Sequence, residues 1–185
     1  MSSGIGPNGT FFASLLKGSI LDCGCGIGVF RPVLQKQGNV VGVDIERKYL
    51  LESKYEDKVL ASATHLPFND ETFDGVWACA ILEHIAENCI SEICRVGRTA
   101  IFTVPNYESP LDFLHSLQGK ETWFSKKWHP DHVHPYPIKE LAKYGKVYGC
   151  DPAFPPRNLW NRIVPMQFWI RFPWLCHTIT LIVKN

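Results

Sequence analysis

The stretch SILDCGCGIGVF (residues 19–30) runs from a short β-rich apolar segment through a glycine-rich turn into the start of a helical pattern. A strand that hands over to a helix in this way reads as the first unit of a parallel sheet, because parallel strands need crossover helices and are buried on both faces. Gly24, Gly26 and Gly28 allow a tight turn and bring bare backbone close to a ligand. Their spacing is G-x-G-x-G. The dinucleotide fingerprint calls for a small residue at position 29, where Val29 stands, and no phosphate-cradling run ending in Gly-Lys-Ser or Gly-Lys-Thr occurs. Asp22, two residues before the first glycine, places a carboxylate at the strand's C-terminal mouth, where it attracts an ammonium and repels a phosphate. Asp44 ends the next strand, where an acidic side chain can accept both hydroxyls of a ribose.

Outward from this unit, a helix is expected over 28–37, a strand at NVVGVD (39–44), a helix over 46–54 and a brief strand at 58–60. FDGVWACA (73–80) reads as a fully buried fourth strand, since its apolar run is nearly continuous. A helix over 84–95 leads to TAIFTVP (99–105), a fifth strand stopped by Pro105, which has no N–H for a central ladder. Residues 106–137 hold more aromatics and histidines than a connector needs, with one helix at 109–118, and long loops of this kind carry function. PIKELAKYG (137–145) opens on Pro and ends on Gly, as helices do, and KVYGCD and TITLIVK supply two last strands.

At 185 residues the chain is expected to be one α/β domain, with 19–105 as its cofactor-binding half. Hydrophobic residues at 45% and charged residues at 20% exclude a disordered or fibrous chain. A net charge of +1 lacks the strong positive field of a nucleic-acid-binding protein. After Asp151 no acidic residue remains, whereas Arg157, Arg162, Arg171 and Lys184 do, so the tail is locally basic. Seven cysteines without a C-x-x-C pair argue against both a disulfide framework and a zinc site, and a cytoplasmic location is expected. No signal peptide is read at the N-terminus, and the most apolar stretch, 163–183, is interrupted by Pro165, Arg171, Pro173 and His177, so no membrane span is expected.

LDCGCGIG (21–28), VVGVDIE (40–46) and ATHLPFNDETFDGVWACAILEHI (63–85), in this order and spacing, resemble a class I S-adenosylmethionine-dependent methyltransferase of the type 11, ubiquinone-biosynthesis-like group. DHVHPY (131–136) is similar to a His-Val-x-x-Tyr segment found late in these enzymes. The resemblance implies a Rossmann-like fold: a mostly parallel seven-stranded sheet, helices on both faces and an antiparallel last strand. It implies S-adenosylmethionine as cofactor, S-adenosylhomocysteine as product and no metal. Asp22 and the Gly24 backbone would hold the methionine amino end, with Gly26 and Gly28 leaving space, Asp44 on the ribose and Ile45 against the adenine. Cys25 and Cys79 fall on further cofactor-side positions. Where the family usually carries an Asp-Ala pair for adenine, this chain has Ser62-Ala63, a shorter and uncharged partner.

Methyl transfer from a sulfonium is an in-line displacement that rests on positioning and exclusion of water. Where the acceptor is an oxygen of high pKa a base is needed, and Glu83 and His84 are best placed by motif, with His132 as an acceptor-side companion. His129, His132 and His134 invite a metal reading, but no carboxylate motif accompanies them and no metal site is expected. The chain has none of the (Asp/Asn)-Pro-Pro-aromatic turn that the resemblance associates with base-amino methylation, so nucleic acid is disfavoured as the acceptor. The tail 157–175 interleaves aromatics with arginines, a composition suited to stacking a ring or sugar, or to lying on an anionic membrane surface. Segments 106–136 and 152–176 are the expected acceptor-side lid. The expected acceptor is a small molecule, lipid or glycan methylated on oxygen or carbon. The rivals are a catalytically silent S-adenosylmethionine-binding partner protein and an NAD-dependent oxidoreductase, the latter disfavoured by Val29 and Asp22. No motif encodes the oligomeric state.

Overall fold

The structure, a computed structural model, describes residues 7–119, 131–152 and 163–185. Its strands are β1 (Gly18–Cys23), β2 (Gly38–Asp44), β3 (Asp57–Leu60), β4 (Gly75–Cys79), β5 (Thr99–Pro105), β6 (Lys146–Pro152) and β7 (Cys176–Lys184). They form one seven-stranded sheet in the order β3-β2-β1-β4-β5-β7-β6. Neighbours from β3 to β5 pair in parallel, and β7 runs antiparallel to both β5 and β6. The chain reverses direction across the sheet at β1/β4, where a ligand crevice opens in such folds.

Helices cover both faces: α1 (Pro7–Ala13), α2 (Arg31–Leu34), α3 (Arg47–Glu52), α4 (Ile90–Arg95), α5 (Pro110–Leu117), α6 (Ile138–Leu141) and α7 (Met166–Arg171). Strand alternation divides the core. Ile20, Trp77 and Ile101 pack with Phe12, Leu34 and Leu50 on one face, while Leu21, Val76, Ala78 and Phe102 pack with Ile90, Ile93 and Leu141 on the other. Phe30 lies against Trp77 with ring centroids 4.8 Å apart. Among the described residues no helix is long and apolar enough to cross a membrane.

Several elements differ from the sequence reading. The helix expected over 28–37 is reduced to α2, flanked by turns, and the one expected over 137–145 to α6. The helix expected over 84–95 splits into a 3-10 turn, Leu82–His84, and α4. The carbonyl of Glu83 is taken by the amides of Val133 and His134, at 2.8 and 3.3 Å, and Ile85 turns extended. The Asn88 side chain then accepts from the Ile90 amide at 3.0 Å and starts the helix anew. The last strand begins at Cys176 rather than 178, and α1 and α7 occupy segments where no helix was expected.

Candidate functional site

The turn after β1 is shaped by its glycines. Gly24, Gly26 and Gly28 all have positive φ, and the amides of Gly24 and Cys25 both donate to the Val43 carbonyl, at 2.8 and 2.9 Å. This ties the turn to the end of β2. A Cβ on Gly24 would meet Ile81 Cδ1 at 2.6 Å, whereas one on Gly26 would meet nothing within 4 Å. Gly26 therefore borders an open cradle, and a side chain there would be strained as well as intrusive.

Asp44, at the end of β2, accepts the Gly26 amide on Oδ2 and the Glu46 amide on Oδ1, each at 2.8 Å. Each carboxylate oxygen keeps a further lone pair for a ligand hydroxyl. Ile45 is 67% exposed next to it, so this side chain is no part of the core. Ser62 and Thr64 bond to each other through their hydroxyls at 2.8 Å, and Thr64 continues to His65 Nδ1 at 2.9 Å. Ala63 is buried in the core beneath them.

Asp22 is 3% exposed and stands in register between Gly42 of β2 and Trp77 of β4. Its Oδ2 accepts the Tyr55 hydroxyl at 2.6 Å. Burial pushes its carboxyl from the ordinary 3.8 up to about 7, with the Tyr55 hydrogen bond opposing and the nearby Asp44 charge adding to the rise. Tyr55 reaches Asp22 because β2 carries no side chain at Gly42: a Cβ there would lie 2.7 Å from the Tyr55 ring and 3.0 Å from Cys25 Sγ. The sequence reading did not single out Tyr55. The interior glycine of β2 is the one signal that pointed to a close approach there.

Burial pushes the thiols of Cys25 and Cys79 up to about 12. Cys79 Sγ also accepts the Thr103 hydroxyl at 2.8 Å. Both cysteines pack with the core as neutral, inert groups. Ala80, just beyond β4, has φ of 52°, a left-handed conformation rare outside glycine. It turns the chain into the Leu82–His84 turn that carries Glu83 and His84.

Glu83 is 1% exposed, and burial raises its carboxyl from the ordinary 4.5 to about 8, with Asp131 contributing. Next to it, His84 Nδ1 lies 3.1 Å from Asp131 Oδ2, and its ring meets His132 edge-to-face at 4.9 Å. His132 Nδ1 is 3.4 Å from the Tyr107 hydroxyl, and His134 Nε2 is 3.8 Å from Glu140. The structure thus brings Glu83, His84 and His132 together and adds Asp131 and Tyr107, which the sequence reading passed over. His129, Arg157, Trp160 and Arg162, and with them parts of the expected lid and basic tail, lie outside the described residues.

These positions carry the groups that S-adenosylmethionine would need: a carboxylate to accept from its ammonium, a carboxylate to accept from its ribose hydroxyls and an open backbone cradle at Gly26. A family model described as a methyltransferase domain matches residues 21–100. An uncharacterized protein of Methanocaldococcus jannaschii is 39% identical over 95 residues, 49% of this chain and 42% of that protein. A malonyl-acyl-carrier-protein O-methyltransferase of Buchnera aphidicola is 32% identical over 105 residues, 51% of this chain and 42% of that protein. The match thus spans less than half the length of these curated relatives. A S-adenosylmethionine-dependent methyltransferase structure from Thermotoga maritima superposes with a TM-score of 0.67, over 96% of this chain and 86% of that one, at 14% identity, which is a likeness of fold. Residues 21–100 thus match the methyltransferase-domain family model, and the chain has the fold of the class I S-adenosylmethionine-dependent methyltransferases.

Proposed function

We propose that the chain transfers the methyl group of S-adenosylmethionine to an oxygen of a small-molecule or lipid acceptor. The family requires no metal for this chemistry. The observation that carries the reading is the Gly26 cradle, open beside the Asp44 carboxylate that holds the Gly26 amide. When bound, S-adenosylmethionine supplies an electrophilic methyl on a sulfonium. Ionised Asp22 pairs with the ammonium, Asp44 accepts from the ribose and Ile45 covers the adenine. His84 takes the acceptor's proton on Nε2 as the new bond to oxygen forms, while Asp131 holds Nδ1–H and steadies the imidazolium. An apolar acceptor is supported by the exposure of Phe113 and Leu117 on α5 and of Phe168, Phe172 and Trp174 around α7. The oxygen preference agrees with the O-methyltransferase activity for which the Buchnera relative is named.

Calorimetric titration with S-adenosylmethionine and S-adenosylhomocysteine, with NADH as control, tests the cofactor. Micromolar binding of the adenosyl ligands alone is expected, and NADH binding in their place overturns the reading. Transfer of labelled methyl to a panel of hydroxyl- and carboxyl-bearing apolar acceptors tests the chemistry. His84→Ala is expected to lower turnover by about 100-fold or more with cofactor affinity unchanged; an unchanged rate removes His84 from the base role.

A further inference from the structure

In the sequence no carboxylate motif accompanies His132; in the fold, Glu83 is brought to it. One donor atom from each of Glu83, His84 and His132 lies within 4.8 Å of the other two. Glu83 Oε2 is buried without a hydrogen-bond partner among the described residues. An acidic oxygen left so is costly, and a cation relieves it. The two imidazoles are already oriented. Asp131 holds Nδ1 of His84 at 3.1 Å, which fixes the proton there and leaves the lone pair on Nε2. The Tyr107 hydroxyl stands 3.4 Å from Nδ1 of His132, near enough to accept from Nδ1–H when Nε2 takes a cation. Histidines that bind a metal through one ring nitrogen characteristically engage a carboxylate or similar group with the other.

We propose that Glu83, His84 and His132 form a binding site for one divalent transition-metal cation of the zinc type. Two imidazoles and a carboxylate suit zinc or cobalt better than magnesium or calcium, and they leave a fourth position for water or another oxygen donor. The cation takes no part in methyl transfer. It occupies the lone pair of His84, and so, on the reading of His84 as the base, the bound cation inhibits the reaction.

The test is a titration of the whole chain with zinc by calorimetry and with cobalt by absorption, each with and without S-adenosylhomocysteine. One equivalent of either ion is expected to bind, with the absorption bands of low-coordinate cobalt, and to be removed by EDTA. His132→Ala and Glu83→Gln are expected to weaken binding at least about tenfold, and Asp131→Asn by about 10- to 100-fold. His65→Ala, whose histidine lies outside the cluster, is expected to bind as wild type does. No stoichiometric uptake by the wild type, or equal affinity in the cluster variants, overturns the site. Should a cluster variant fail to fold, Asp131→Asn at an exposed position carries the test. Cobalt uptake without S-adenosylhomocysteine binding keeps the cation site and removes the cofactor reading, and the opposite result does the reverse.

Discussion

At Asp22 burial and a single hydroxyl oppose each other over the state of a carboxylate. Burial raises the carboxyl to about 7 against the opposing Tyr55 bond. In the unfolded chain the same group titrates near 3.8, so between these values the ligand-free fold binds the extra proton. This group's contribution to ligand-free stability is therefore present at low pH and is lost as pH rises towards 7. Cofactor binding runs the other way, because the ammonium needs the ionised form. Affinity for S-adenosylmethionine is expected to rise with pH up to about 7, with a proton released on binding below that pH. Calorimetry in buffers of different ionisation enthalpy reads that proton. Tyr55→Phe removes the donor and is expected to lower affinity on the order of tenfold and to move the pH midpoint upward. A tyrosine that merely packs would leave the midpoint where it is.

At the scale of elements, β2 serves the site by what it lacks. Most of its length packs like any central strand, but Gly42 opens a slot through which Tyr55, carried on the segment between α3 and β3, crosses to β1. Gly42→Ala is expected to displace the Tyr55 ring, cost roughly 1–3 kcal/mol of stability as an overpacked core does, and weaken cofactor binding in parallel. A shift in melting temperature with unchanged affinity would separate the slot from the site. The short turn Leu82–His84 is a second such element. The Glu83 carbonyl serves Val133 and His134 instead of a continuing helix, which is why a helical pattern over 84–95 did not yield one helix. No local propensity encodes that exchange of partners.

Across the whole molecule, the interior strands β1, β4 and β5 carry buried side chains on both faces, while α5 leaves Phe113, Leu114 and Leu117 exposed. Amide hydrogen exchange is expected to be slowest in those strands and fast in α5, since protection follows burial and contact. Protection of α5 as strong as that of β4 would place this helix in the core and remove its exposed face from the acceptor side.

The strands, their alternation with helices and the glycine turn between two strand-end carboxylates were legible in the sequence. Near-continuous apolar runs need two covered faces, glycines at alternate positions need a turn with positive φ, and a carboxylate at each of two strand ends has one mouth to face. Those signals are local, and Asp22, Gly24, Gly26 and Asp44 stand where they point. What only the tertiary structure decided are the pairings between residues far apart in the chain: Tyr55 on Asp22, Asp131 on His84, and Glu83 with His132. Each joins a strand end to a connecting segment whose path is set by packing across the sheet, and packing of that kind leaves no period in the sequence.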